Sequence, residues 1–264
     1  MIKLIATDLD NTLLDKSGQI PESTAALLRQ AAQKGVLTAV ATGRCYPSAK
    51  GAAAVIGAQT PIICYNGSLI KRGDTGEVLA QTYVTPEQIR AVSAFCHQND
   101  LYLQLYDYDD VILCEQDCEG LRVDPDLAVV GFREIGDYRV HPDLHPTPKM
   151  LIVEQAEKVS ARLKELEAVF PDLAFCQSQP WLIEVMPKTA GKGLAVAKLA
   201  EIFGVKQEEV MTLGDNTNDL PMIRWAGLGV AVGNAVEALK AEADYICTAE
   251  RSLGVEEALK KFIL

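Results

Sequence analysis

The chain has 264 residues, enough for one large domain or two smaller ones, and its 48% hydrophobic and 23% charged residues are ordinary for a globular protein. A net charge of −11 and a pI near 4.8 argue against nucleic acid or an anionic membrane as partner, so an anionic substrate must find its positive charge in a metal and a few Lys or Arg. Seven cysteines without a CxxC pair, no secretory signal ahead of Asp8 and Asp10, and no apolar stretch long enough to span a bilayer point to a cytoplasmic protein with reduced thiols.

The first apolar run, residues 2–6, reads as a short buried strand that leads straight into Thr7-Asp8-Leu9-Asp10-Asn11-Thr12-Leu13. If extended geometry persists past Leu9, Asp8 and Asp10 point into one small volume. Two carboxylates that close both stay ionised only with a cation between them, and oxygen-only ligands suit Mg²⁺. A strand that simply ends in an Asp turn is the plainer alternative at this point.

Next, Pro21-Glu22 opens a helical pattern closed by Gly35, and residues 36–41 form a second buried strand running into Thr42-Gly43-Arg44. A small helix to about Gly57 and a strand at 61–64 follow, ending in Tyr65-Asn66-Gly67, whose Asn-Gly is a turn signal. This alternation predicts βαβ units and a parallel sheet. At Thr85-Pro86-Glu87-Gln88 a capping-box signature begins a different pattern. It continues with a hairpin around Asp107-Tyr108-Asp109-Asp110, an irregular proline-rich stretch at 137–148, and a strand, helix and two more strands to 186. The α/β alternation resumes at Lys188. The expected organisation is therefore an α/β core of 1–85 and 187–264, a parallel sheet with helices on both faces, interrupted by an α+β unit at 86–186.

In an open parallel sheet, ligands bind outside the carboxyl ends of the strands. Four predicted strands finish there in polar groups: Asp8 and Asp10, Thr42-Gly43, Tyr65-Asn66-Gly67, and Asp215 with Asn218 and Asp219. Lys192 opens a helix just ahead of the last of these. Acids, a hydroxyl with a glycine, and a lysine are the parts needed to hold Mg²⁺ and a phosphate.

Asp8-Leu9-Asp10-Asn11-Thr12, Ala41-Thr42-Gly43-Arg44, Gly191-Lys192-Gly193 and Gly214-Asp215-Asn216-Thr217-Asn218-Asp219, in this order, resemble the haloacid dehalogenase superfamily of phosphatases. The Asn66-Gly67 pair and the long insertion after it resemble its Cof-type branch, which carries a large α/β cap. Asn11 departs from the pattern, where these phosphatases more often have Gly; Asn tolerates left-handed backbone better than most residues. The resemblance implies that Asp8 is a nucleophile forming an aspartyl-phosphate and Asp10 the general acid, then base. It implies Mg²⁺ held by Asp8, the Asp10 carbonyl, Asp215 and Asn216, and phosphoryl oxygens met by the Leu9 amide, Thr42, the Gly43 amide, Lys192 and Asn218. Asp219 would orient Lys192. Arg44 is left between a substrate contact and an ordinary surface ion pair.

Other readings are weaker. Gly191-Lys192-Gly193 is not a P-loop, because Met186 stands where the first glycine belongs and Gly193 where Ser or Thr does. His141 and His145 have zinc-like spacing but no evident third ligand. The expected activity is a Mg²⁺-dependent phosphatase acting on a small phosphorylated metabolite, with a phosphomutase or an inactive metabolite-binding protein as alternatives. The inserted unit is expected to select substrate, with Tyr106, Asp107, Tyr108 and Trp181 as positions to test and Trp181 expected to be buried.

Overall fold

A computed structural model describes residues 1–57, 59–107 and 111–264. In chain order its first part carries β1 (Leu4–Thr7), α1 (Glu22–Gln33), β2 (Leu37–Ala41), α2 (Tyr46–Ile56), β3 (Ile62–Cys64), β4 (Leu69–Lys71) and β5 (Val78–Gln81). The middle carries α3 (Pro86–Gln98), β6 (Tyr102–Tyr106), β7 (Ile112–Cys114), β8 (Phe132–Glu134), β9 (Met150–Val153), α4 (Val159–Val169), β10 (Leu173–Gln179) and β11 (Leu182–Pro187). The last part carries α5 (Lys192–Ile202), β12 (Val210–Gly214), α6 (Leu220–Trp225), β13 (Leu228–Ala231), α7 (Glu237–Lys240), β14 (Tyr245–Ile246) and α8 (Arg251–Phe262). Two compact units result, one of Met1–Ala80 with Gly191–Leu264 and one of Gln81–Ala190.

The first unit is built on an eight-stranded sheet in the order β14-β13-β12-β1-β2-β3-β4-β5. From β14 to β3 the pairs are parallel, and β4 returns antiparallel to β3 through the Asn66-Gly67 turn. The central strand β1 is buried on both faces, which is why its sequence shows no polar alternation. Leu4 and Ala6 pack with Ala39, Ala41, Ile63 and the α5 residues Ala195, Val196 and Leu199. Among the described residues, no helix is long and apolar enough to cross a membrane.

The second unit has its own six-stranded sheet, β10-β11-β9-β6-β7-β8. Leu103, Leu105, Met150, Ile152, Ile183 and Val185 alternate onto one face and pack with Ile89, Val92, Val159 and Leu166 from α3 and α4. Thr85 caps α3 as its sequence predicts: the Gln88 N–H donates to its hydroxyl and the Thr85 N–H to the Gln88 side chain. The other sheet face mixes buried apolar residues such as Ile112 and Leu151 with a polar network, in which Asp124 accepts from Gln104 and Tyr106 and Lys149 is paired to Glu184 at 3.3 Å. Tyr106 is thus buried in that network, and Asp107 pairs with Arg133. Tyr108 lies outside the described residues. Trp181 is 40% exposed, against the expectation of burial, because it sits in the tight β10–β11 turn rather than on a strand face. Among the described residues all seven cysteines are free thiols.

Candidate active site

The register of three strands sets the site. Thr7 pairs with Val40 on one side and Leu213 on the other, so Asp8, Thr42 and Asp215 stand within two residues of one another at the strand ends. Parallel strands lie about 4.8 Å apart, so such groups are neighbours by construction. The Asp8 N–H donates to Leu213 and the Thr42 N–H to Ile63, which carries the ladders right up to the functional residues.

Lys192, fully buried at the start of α5, donates to Asp8 Oδ1 at 2.5 Å and to Asp219 Oδ1 at 2.6 Å. α5 is held there by close approach to α6, since a Cβ on Gly193 would stand 2.5 Å from the Pro221 carbonyl oxygen. The other oxygen of Asp219 accepts the amides of Asp215 and Asn216 at 3.0 and 3.1 Å. Both oxygens of Asp219 are therefore engaged. Asp215 Oδ1 accepts from the Thr12 hydroxyl at 3.0 Å. The second oxygens of Asp8 and Asp215 have no donor among the described residues.

One ammonium thus faces three carboxylates, those of Asp8, Asp215 and Asp219, whose ligand atoms lie within 4.8 Å of one another. Burial drives the Asp8 carboxyl well above the usual carboxylate range, with Lys192 opposing and Asp219 reinforcing the rise. Burial, then the charge of Asp219, pushes Asp215 up to about 6. Burial alone would lower the Lys192 ammonium, but Asp219 and Asp8 outweigh it and raise it, so it stays charged. The donor set is oxygen only, and its carboxylates outnumber the one ammonium, a fit for a hard divalent cation such as Mg²⁺.

Several candidates sit differently from the extended reading of the sequence. The chain does not stay extended past Asp8. Leu9–Leu13 forms a single wide turn in which the Leu14 N–H donates to the Leu9 carbonyl and Asn11 takes φ 60. Asp10 is swung out of the buried carboxylate cluster, half exposed, and held by the Arg44 guanidinium at 2.9 and 2.5 Å. Arg44 is thus a partner of Asp10, a pairing across 34 residues that no local pattern announces. Asn216 is exposed and its side-chain oxygen accepts the Thr217 N–H at 2.7 Å. Thr42 is buried, its hydroxyl accepting the Arg44 N–H at 3.2 Å. Asn218 Nδ2 donates to Asn66 Oδ1 at 3.3 Å, bringing in a residue that the sequence placed at the strand ends without a role of its own. The described residues also gather His97, Glu115 and Asp137, but Arg139 occupies Asp137 while Ser93 and Tyr138 donate to Glu115.

An acid-ended central strand, a buried lysine and a second acidic loop meet at one edge of the α/β sheet. A model of the haloacid dehalogenase-like hydrolases matches residues 5–259, and the chain belongs to that family. It is 30% identical over 263 residues to the 5-amino-6-(5-phospho-D-ribitylamino)uracil phosphatase YcsE of Bacillus subtilis, spanning 100% of this chain and 96% of that one. It resembles the crystal structure of a haloacid dehalogenase-like hydrolase from Bacteroides thetaiotaomicron with a TM-score of 0.84 and 29% identity over 99% of each chain. The structure described as the HAD subclass IIB sugar phosphatase BT4131 matches with a TM-score of 0.78 and 25% identity over 98% of each chain.

Proposed function

We propose that this hydrolase is a Mg²⁺-dependent phosphomonoesterase acting on a small phosphorylated metabolite through an aspartyl-phosphate on Asp8. The observation that carries the reading is the buried cluster of Asp8, Asp215 and Asp219 around Lys192 at the strand ends. Asp8 and Asp215, with the Asp10 carbonyl and Asn216, would hold Mg²⁺, which when bound offsets the repulsion between a carboxylate nucleophile and a phosphate dianion.

In this mechanism an Asp8 oxygen attacks phosphorus, the ester P–O bond breaks, and the leaving oxygen takes a proton from Asp10. Water then attacks the acyl phosphate, Asp10 accepts its proton, and inorganic phosphate departs. Lys192, Thr42, Asn218 and the Leu9 and Gly43 amides would bind the phosphoryl oxygens, Asp219 keeping Lys192 in place. A carboxylate chelated by a guanidinium cannot donate a proton, so Asp10 must leave Arg44 in the acid step. The inserted unit is assigned to substrate selection, because every residue given to phosphate or metal lies outside it.

The test is a phosphate-release screen over sugar phosphates and phosphorylated cofactors with Mg²⁺ present. Release of inorganic phosphate is expected. An isomerised product that keeps its phosphate would instead mark a phosphomutase, and binding without any turnover would mark an inactive scaffold.

A further inference from the structure

The turn at residues 65–67 makes an unusual backbone commitment. Tyr65 and Asn66 both adopt left-handed conformations, at φ 49 and 51, and Gly67 follows at φ 106. Consecutive non-glycine residues in this region are disfavoured and persist only where the surroundings impose them. Here they are imposed by the loop after β2: the Tyr65 N–H donates to the Arg44 carbonyl at 3.1 Å and the Asn66 N–H to the Thr42 carbonyl at 3.0 Å.

The same turn touches the other phosphate-site loops. A Cβ on Gly43 would stand 3.2 Å from both terminal atoms of the Asn66 amide, so that side chain lies directly over the Thr42-Gly43 loop. Its oxygen accepts from Asn218 on the acidic loop after β12. Gly67 packs on the residue before Lys192, where a Cβ would come 2.4 Å from the Gly191 carbonyl oxygen. Asn66 is itself only 5% exposed.

We infer that Asn66 is a positioning residue for phosphate recognition, its side chain fixing the Thr42-Gly43 loop and Asn218 in one geometry while its turn seats the start of α5. The inference rests on the phosphomonoesterase reading above and adds a residue to it. The left-handed turn alone would be served as well by glycine, which adopts this backbone freely. An asparagine there adds an amide that bridges two loops.

The experiment measures binding of orthophosphate by calorimetry, with Mg²⁺, to the full-length wild type, Asn66→Gly, Asn66→Asp, Asn218→Ala and Asn66→Gly/Asn218→Ala. Asn66→Gly keeps the turn and should melt within a few degrees of wild type, yet bind phosphate roughly tenfold more weakly, the scale of one hydrogen bond to a charged group. On a substrate its KM should rise more than its kcat falls. Asn66→Asp, carrying a negative charge beside the loop, should bind phosphate more weakly still. The double variant should lose little beyond Asn218→Ala alone, because the two residues act together. Wild-type phosphate affinity in Asn66→Gly would overturn the inference and leave the phosphatase reading standing. Phosphate binding by wild type without turnover would count against that reading while the variants still decide on Asn66.

Discussion

Replacing Lys192 by Met removes the one ammonium of the buried cluster and keeps the length of the side chain. Two hydrogen-bonded ion contacts, at 2.5 Å to Asp8 and 2.6 Å to Asp219, are lost at a position with no exposed surface. Breaking a buried pair from one side costs about 3–5 kcal/mol, because the partner charge stays behind in a medium that solvates it poorly. With a urea m-value of about 2 kcal/mol/M, the unfolding midpoint of the metal-free protein should fall by roughly 1.5–2.5 M at pH 8. Trp225, one of the chain's two tryptophans and the one in α6, reports on this unit by fluorescence. The deficit must depend on pH with a definite sign. Without Lys192 the Asp8 carboxyl rises further in the folded state, so the folded form holds a proton that the unfolded form has released. Stability is then lost as pH rises through the folded-state value and regained as pH falls towards that of the unfolded chain. The gap to wild type should therefore be wide at pH 8, narrower at pH 5, and reduced at pH 8 by added Mg²⁺. A midpoint unchanged at pH 8, or a deficit equal at both pH values, would refute the charge-compensation argument.

Asp8→Asn should abolish turnover with the fold intact, and wild type quenched in mid-reaction should carry a base-labile acyl phosphate on the peptide containing Asp8; a label elsewhere would dismiss Asp8 as nucleophile. Activity should vanish with chelator and return with Mg²⁺, and the apparent Mg²⁺ affinity, read by calorimetry, should weaken as pH falls through about 6, where Asp215 gains its proton; an affinity flat from pH 5 to 8 would remove Asp215 from the metal site. Arg44→Gln, which releases Asp10 from the guanidinium, should raise the rate on alkyl phosphates relative to that on nitrophenyl phosphate, whose leaving group departs without a proton, and an unchanged ratio would detach Arg44 from the work of Asp10. Exchanging the inserted unit, about residues 86–186, for that of a relative with another preference should carry the substrate ranking with it; a ranking that stays with the core would end the division of labour proposed here.

The strand-helix alternation of the core was legible because each buried strand is a short aliphatic run ending in polar residues, and the Thr85 cap because its two partners, Thr85 and Gln88, are three residues apart. Lys192 and Asp215 were legible as members of an ordered set of motifs. What the sequence hid were contacts between distant loops. The Leu9–Leu13 turn, which removes Asp10 from the carboxylate cluster, depends on one left-handed residue at Asn11 and not on any period. The Arg44–Asp10 pair and the bridge from Asn66 to Asn218 join segments whose proximity follows only from strand order. Two short edge strands, β5 and β8, were missed for a simpler reason. Each is at most four residues long, partly exposed, and fixed by pairing more than by its own composition.

Strand β1 is the middle of its sheet, yet its register partner on one side, Leu4 with Val210, lies near the other end of the chain. A chain made from its N-terminus would present β1, β2 and β3 as a half-sheet with an open apolar edge while the whole of Gln81–Ala190, contiguous and with its own core, was synthesised and free to fold. Asp8 would wait through the same interval for the ammonium that neutralises it. The unit whose first strands precede Gln81–Ala190 is thus the last able to close, and the closing event that pairs β12 with β1 also assembles the buried carboxylate cluster. Folding intermediates of this protein are therefore expected to be inactive, sticky at one strand edge, and dependent on the last quarter of the sequence for relief.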